Sequence, residues 1–195
     1  WVGAEMLRSG TTCFYDILEA PNALPGILVR QSEVSAALGL RGILSFEATQ
    51  RRGVENGRLG LEENLAMIDH ARASGVDRLV DGLMCIHTTF TCPPEFIREA
   101  HELALDRSTL LHAHVNEGTH EGELCRERYG MRTLELYESL GVAGPGLMAS
   151  QCVQLSDIER HIVADRGVKV THMPLSNCEV GGGIAPIPEF LDAGV

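Results

Sequence analysis

Short runs of apolar and β-branched residues recur along the chain, and amphipathic helical patterns separate them. This periodicity is the main indicator of secondary structure in a single sequence. The predicted strands are residues 11–16, 42–49, 79–87, 109–117, 147–153 and 168–174. Because these runs are apolar on both faces, they are typical of parallel strands that are covered by helices.

Five amphipathic segments lie between the predicted strands. The predicted helices are residues 32–38, 61–74, 94–105, 131–140 and 156–165. Pro94, which follows another proline, and Ser156, which precedes Glu159 in a capping box, are signals for a helix start. Glycines stand where helices are expected to end, at Gly39, Gly75, Gly141 and Gly167. This order of elements favours an open doubly wound sheet or most of a (β/α)₈ barrel.

The chain shows no internal boundary. No linker or low-complexity segment interrupts its 195 residues, and this length suits one substantial hydrophobic core. No G-x-G-x-x-G pattern follows the first predicted strand, which disfavours a dinucleotide-binding fold. We therefore expect a single α/β domain over residues 1–195.

The composition and charge of the chain disfavour some classes of binding partner. The formal net charge of -11 disfavours binding to nucleic acid or to an anionic membrane surface. No apolar run reaches the roughly 18 residues of a membrane helix, and no signal peptide is recognisable. The six cysteines form no C-x-x-C pair, so neither a disulfide framework nor a zinc ribbon is indicated. These features predict a cytoplasmic protein with no nucleic-acid or membrane partner.

Polar residues collect at the carboxyl ends of the predicted strands. They are Glu47, His87, His114 with Glu117, Gln151, and His172 with Asn177. In parallel α/β folds this edge carries the chemistry, because the strand ends are rigid and the loops after them vary. The pattern favours a catalytic mouth over a scatter of core histidines.

The stretch LLHAHVNEG carries the most informative of these residues. His112 and His114 are two residues apart on a strand and therefore share a face. Neutral imidazole binds zinc or iron well, and a nearby carboxylate such as Glu117 can move protons to and from water. The alternative is a core histidine followed by a solvated helix cap. The metal interpretation requires further ligands, because two histidines do not complete a hydrolytic zinc site.

Several segments resemble, in order, those of the amidohydrolase superfamily. They are SGTTCFYD, IHTTFTCPPE, LHAHVNEG, QCVQLSD and THMPLSNCEVGGGIAPIPEFLDAGV. The nearest branch contains methylthioadenosine/S-adenosylhomocysteine deaminases, guanine deaminase and triazine chlorohydrolases. The resemblance implies an incomplete (β/α)₈ barrel, about strands two to seven. It also implies one divalent metal, zinc or alternatively iron, that activates water for attack on a ring carbon.

The resemblance assigns roles to residues of this chain. His114 matches the metal-binding histidine of strand five, and Glu117 matches the glutamate that moves protons from water to the leaving group. His87 matches a histidine that contacts the substrate in adenosine-type deaminases. Glu47 and Arg51 fall near the substrate-facing loop after strand three.

Two further positions belong to the predicted site. His172 precedes Met-Pro at a strand end and is grouped with the substrate-binding residues. Gln151 stands where the superfamily has a histidine that steadies the attacking water. Glutamine can hydrogen-bond the water but cannot carry a proton charge. We therefore place Gln151 with the catalytic residues and expect a different substrate range or a weakened catalyst.

Other departures from the superfamily concern metal binding. The strand-one H-x-H and the strand-eight aspartate are absent, so His114 is the one standard metal ligand in the sequence. We expect this chain alone to bind the metal weakly or not at all, and to have little activity. A titration showing one tight stoichiometric site would contradict this expectation. Missing strands would also leave exposed sheet edges, which can promote homo-oligomers.

Three functions remain open from the sequence. The first is deamination of a purine-like or other N-heterocycle, a small-molecule substrate, by a metal-dependent hydrolase. The second is hydrolysis of a cyclic amide or a halogenated ring by the same residues. The third is a non-catalytic fragment that binds a ligand or assembles. An H-x-H upstream and a G-T-D downstream in the flanking gene sequence would favour an enzyme.

Overall fold

Strands alternate with helices along most of the chain in the computed structural model, which describes residues 1–195. The strands are β1 (Cys13–Leu18), β2 (Arg41–Phe46), β3 (Val80–Gly82), β4 (Met84–Cys85), β5 (Leu111–Val115), β6 (Leu147–Gln151) and β7 (Lys169–Thr171). The longer helices are α2 (Ile27–Ala37), α3 (Val54–Ala73), α4 (Pro94–Asp106), α5 (Thr119–Tyr129) and α7 (Asp157–Arg166). The shorter helices are α1 (Val2–Arg8), α6 (Thr133–Ser139), α8 (Pro174–Glu179) and α9 (Ile187–Asp192).

The α/β alternation predicted from the sequence is confirmed, and each predicted strand has a counterpart. The run at 79–87 differs in detail, because it forms two short strands, β3 and β4. The predicted start signals are also confirmed: α4 begins at Pro94, and the side chain of Ser156 caps α7 by accepting from the Glu159 amide. Helix α5 was not predicted, because its sequence, THEGELCRERY, is polar around most of its circumference and shows no amphipathic pattern.

The chain divides into two units, Trp1–Cys85 and Ile86–Val195. The earlier expectation of one domain over 1–195 stays a prediction. No helix in either unit combines the length and the apolar character that a membrane crossing requires.

In the first unit, β1, β2 and β3 pair in parallel. The core of this unit consists of Leu28, Leu44, Phe46, Met67, Ala71 and Val80. Helix α3 lies very close to β3, since a Cβ on Gly82 would be 2.8 Å from the backbone nitrogen of Ile68. Glycine at this strand position therefore permits the helix to pack against the sheet.

Two buried polar residues of α3 organise the first unit. The carboxylate of Glu63 accepts hydrogen bonds from the backbone amides of Gly26 (2.6 Å) and Leu28 (2.7 Å) at the start of α2. Asn64 pairs with both backbone groups of Phe46 at the end of β2. Negative charge and acceptors at a helix start satisfy amides that have no partner within the helix.

In the second unit, β5, β6 and β7 pair in parallel, with His114 opposite Ser150 and Val115 opposite Gln151. The segment before α4 runs beside β5, because the amide of His114 donates to the carbonyl of His87 at 2.9 Å. This register brings His87, His114 and Gln151 to the same edge of the unit.

Candidate active site

A cavity of about 400 Å³ opens in the second unit at the carboxyl ends of its strands. Its volume lies in the range of ordinary small-molecule sites. The lining includes His87, Phe90, His114, Glu117, His120 and Gly182. Three of the site residues predicted from the sequence therefore meet at one cavity: His87, His114 and Glu117.

Hydrogen bonds from β6 fix the ring of His114. Its Nδ1 lies 2.7 Å from Nε2 of Gln151 and 3.2 Å from Oγ of Ser150. The rings of His87 and His112 each lie 5.5 Å from it, centroid to centroid, in edge-on arrangements. His112 is buried, and burial, with a smaller contribution from His114, lowers its pKa to about 3. His112 therefore stays neutral and packs in the core.

Aromatic rings form one side of the cavity. Phe90 meets His87 edge-on at 5.3 Å and His120 edge-on at 5.5 Å. Nδ1 of His87 is hydrogen-bonded to Oγ1 of Thr91 at 2.6 Å, which fixes the ring in the lining of the cavity. Aromatic surfaces of this kind suit a flat ring, which can stack or pack edge-on against them.

Glu117 is held by residues far from it in the sequence. Oγ of Ser176 donates to Oε1 of Glu117 at 3.2 Å. The glycine run at 181–183 packs against the backbone of Glu117, since a Cβ on Gly182 would lie 2.3 Å from the Glu117 carbonyl oxygen. The side-chain Nε2 of Gln154 donates to the carbonyl of Gly182 at 2.7 Å and holds the run in place. The glycines thus also help to place Glu117.

Replacing Gly182 by Ala should lower the free energy of unfolding by about 1–3 kcal/mol, the usual cost of overpacking. The new methyl group would meet a backbone oxygen, which cannot rotate away. Gly144→Ala is the matched control, because nothing lies within 4 Å of its Cβ position. Urea unfolding of both variants checks the difference. Equal stability of the two variants would show that the glycine run does not press on Glu117.

A buried carboxylate anchors the turn that carries Glu117. Glu121 accepts hydrogen bonds from the hydroxyls of Thr88 and Thr89 (2.9 Å for Thr89) and from the amide of Asn116. Burial raises the pKa of this carboxyl, against the opposing effect of its hydrogen bonds. Glu121 thereby ties the loop after His87 to the end of β5.

A second buried carboxylate lies on the other side of Asn116. Glu159 accepts from Nδ2 of Asn116 at 2.7 Å and pairs with Nε of Arg132 at 2.6 Å. Thr133 donates to the Oδ1 of Asn116 at 3.0 Å, so both side-chain atoms of this asparagine are satisfied. Asn116 has a φ of 48°, a conformation that non-glycine residues adopt uncommonly. The network therefore holds Asn116 in a fixed conformation directly before Glu117.

The other predicted site residues lie elsewhere. Glu47 and Arg51 line one small pocket of the first unit, where Glu47 is buried and Arg51 forms an exposed ion pair with Glu19 at 3.1 Å. His172 is exposed and is not among the residues that line the 400 Å³ cavity. Its neighbour Met173 contacts the amide nitrogen of Gln151 through its sulfur at 3.7 Å.

The fit of a metal can be judged from the residues present. Within residues 1–195, no group of three or more His, Cys, Asp or Glu side chains is placed to hold a metal ion. A catalytic zinc site uses three protein ligands and leaves a further position for water. His114 can supply one such ligand, so these residues do not make a complete metal site.

The chain is similar to known deaminases over almost its whole length. It is 34% identical over 191 residues to 5-methylthioadenosine/S-adenosylhomocysteine deaminase 2 of Archaeoglobus fulgidus, covering 98% of this chain and 44% of that protein. It is 30% identical over 191 residues to 5'-deoxyadenosine deaminase of Methanopyrus kandleri, covering 98% of this chain and 42% of that one. The chain therefore spans less than half the length of these relatives.

A solved structure shows the same fold. The adenosine deaminase of Xanthomonas campestris, crystallised with bound zinc, matches with a TM-score of 0.84 and 26% identity, covering 98% of this chain and 42% of that one. The expected fold class, an incomplete (β/α)₈ barrel, is confirmed by this likeness. The family model for the amidohydrolase family matches residues 2–195. The chain thus belongs to the amidohydrolase family.

Proposed function

We propose that the complete protein is a metal-dependent hydrolase that deaminates a purine-like or other N-heterocyclic compound. Family membership and the deaminase relatives support hydrolysis of a carbon–nitrogen bond. The observation that carries the proposal is the meeting of His87, His114 and Glu117 at one cavity with an aromatic side. Such a cavity accepts a planar ring and presents a carboxylate to it.

Each residue has a proposed role in this reaction. Glu117 takes a proton from the attacking water and delivers it to the departing amine, so that water and an amino-heterocycle yield a carbonyl compound and ammonia. Ser176 orients the carboxylate through its hydrogen bond to Oε1. His87 contacts the substrate ring, and Glu47, Arg51 and His172 are proposed as further substrate contacts.

The proposed cofactor is one divalent metal, zinc, with His114 as its ligand in this chain. The zinc-bound adenosine deaminase supports this choice. In hydrolases of this kind a divalent metal supplies the activated water. Residues 1–195 place no group of three or more His, Cys, Asp or Glu side chains to hold it.

The complete protein should release ammonia from adenosine-type nucleosides at a higher kcat/KM than from pterins or amino-triazines. The measurement is an enzyme-coupled ammonia assay over this panel, with inosine as the substrate control because it lacks the amino group. Release of chloride from a halogenated triazine without release of ammonia from any nucleoside would instead favour ring dehalogenation.

A further inference from the structure

Gln151 directs its side chain at the ring of His114. Its amide nitrogen lies 2.7 Å from Nδ1 of that ring, and Gln151 itself is 2% exposed. An amide nitrogen donates hydrogen bonds and accepts none. Nδ1 of His114 must therefore be the acceptor, and in the neutral ring the proton sits on Nε2.

The neighbours of Gln151 decide which way its amide faces. Oγ of Ser150 donates to Oε1 at 2.6 Å, while the sulfur of Met173 lies 3.7 Å from Nε2. A thioether sulfur is a weak acceptor with no hydrogen to give. With the amide turned over, Oε1 would face this sulfur and the contact would be lost. Met173 therefore favours the orientation that points an N–H at His114.

The backbone holds Gln151 firmly at this place. Gln151 has a φ of 67° and Cys152 a φ of 49°, two consecutive left-handed residues at the end of β6. The amide of Cys152 donates to the carbonyl of Val115 at 2.9 Å, and the amide of Val153 donates to the carbonyl of Asn116 at 3.1 Å. Strained conformations of this kind persist where the surrounding structure over-determines them, and they cluster at functional sites.

We propose that Gln151 is a positioning residue that sets the ring tautomer of His114 and holds it as a hydrogen-bond donor. An imidazole binds a metal through an unprotonated nitrogen. In the observed arrangement the lone pair of Nδ1 accepts from Gln151 and Nε2 carries the proton. For Nε2 to bind a metal, the amide of Gln151 must turn so that Oε1 accepts from a proton on Nδ1. In the observed orientation Gln151 therefore weakens metal binding at His114 without preventing it.

This inference concerns the ligand role that the proposed function gives to His114, but its test requires no turnover. The proton positions on the ring nitrogens are read from ¹⁵N NMR of the 195-residue chain at about pH 8, well above the usual histidine pKa of about 6.5. The imidazole signals that are present in the unaltered chain and missing from His114→Gln belong to the ring of His114. Failure of the inference and failure of the deaminase proposal are thus separate results.

The expected result for the unaltered chain is an Nε2-protonated His114. Gln151→Glu offers only acceptor oxygens when ionised, so His114 should convert to the Nδ1-protonated form. Gln151→Leu, which has no hydrogen-bonding group, should give a mixture. His161 is the internal control: its Nδ1 faces the carbonyl of Asp157 at 2.7 Å, so it should stay Nδ1-protonated in every variant.

Zinc affinity of the complete protein, measured by calorimetry, supplies the second readout, because residues 1–195 alone do not make a complete metal site. Gln151→Glu should bind Zn²⁺ about tenfold or more tightly than Gln154→Glu, in line with the usual effect of residues that orient a metal ligand. Gln154→Glu adds the same charge to a residue that lines the cavity beside His114, but the side chain of Gln154 donates to the carbonyl of Gly182 and not to His114. An Nδ1-protonated His114 in the unaltered chain, an unchanged tautomer in Gln151→Glu, or equal zinc affinities of the two variants would overturn the inference.

Discussion

Replacing Glu117 by Gln in the complete protein should lower kcat by about 10²–10⁴-fold, the usual contribution of a general acid–base residue. Glutamine has nearly the same shape, and its oxygen can still accept the hydrogen bond that Ser176 gives to Oε1. It cannot take up a proton. The KM should change little, because the substrate contacts of the cavity remain. Steady-state rates of ammonia release measure both constants.

The control for this substitution is Glu127→Gln, on the same helix that follows Glu117. Glu127 is exposed and does not line the cavity, so its kcat should equal that of the unaltered enzyme. If Glu117→Gln retained more than half of kcat, Glu117 would not be the residue that transfers the proton. A rise in KM with kcat unchanged would instead assign Glu117 to ground-state binding.

The positions of the strands could be predicted from the sequence because each strand depends on a local pattern. Apolar runs on both faces located all the strands of the second unit, and the capping box located the start of α7. Parallel strand ends meet at one edge, so His87 and His114 were expected to lie near each other, and their rings are 5.5 Å apart. Local periodicity and one rule of topology suffice for these features.

The contacts that hold the site residues in place could not be predicted, because they join residues that are distant in the sequence. Ser176 is 59 residues from Glu117 in the sequence. Charged residues are seldom fully buried, so the sequence suggests that Glu121 and Glu159 are solvent-exposed residues of helices. In the structure both side chains are buried. For Gln151 the sequence indicates only which residue stands there. The atom that its amide faces follows from the packing of β5 against β6.

Replacing Glu159 by Ala should lower the free energy of unfolding of this chain by about 3–5 kcal/mol, the usual cost of removing one partner from a buried ion pair. The Glu159 side chain is fully buried, and that of Arg132 is 15% exposed. The substitution also removes the acceptor for the amides of Leu134 (3.2 Å) and Ser156 (2.9 Å) at the starts of two helices. Such a loss is a large share of the roughly 5–15 kcal/mol that stabilises an ordinary domain.

Urea unfolding measures this loss, and Glu138→Ala is its control. Glu138 pairs with Arg166 at 2.8 Å on the surface, where an ion pair contributes only about 0–1 kcal/mol. A double variant, Glu159→Met with Arg132→Met, should regain part of the stability lost in Glu159→Ala, because no unpaired charge is then left in the interior. If the double variant regains none of the stability lost in Glu159→Ala, the loss comes from the helix-start amides that both variants leave without an acceptor. Glu159 would then act mainly as a cap, and its pairing with Arg132 would be secondary.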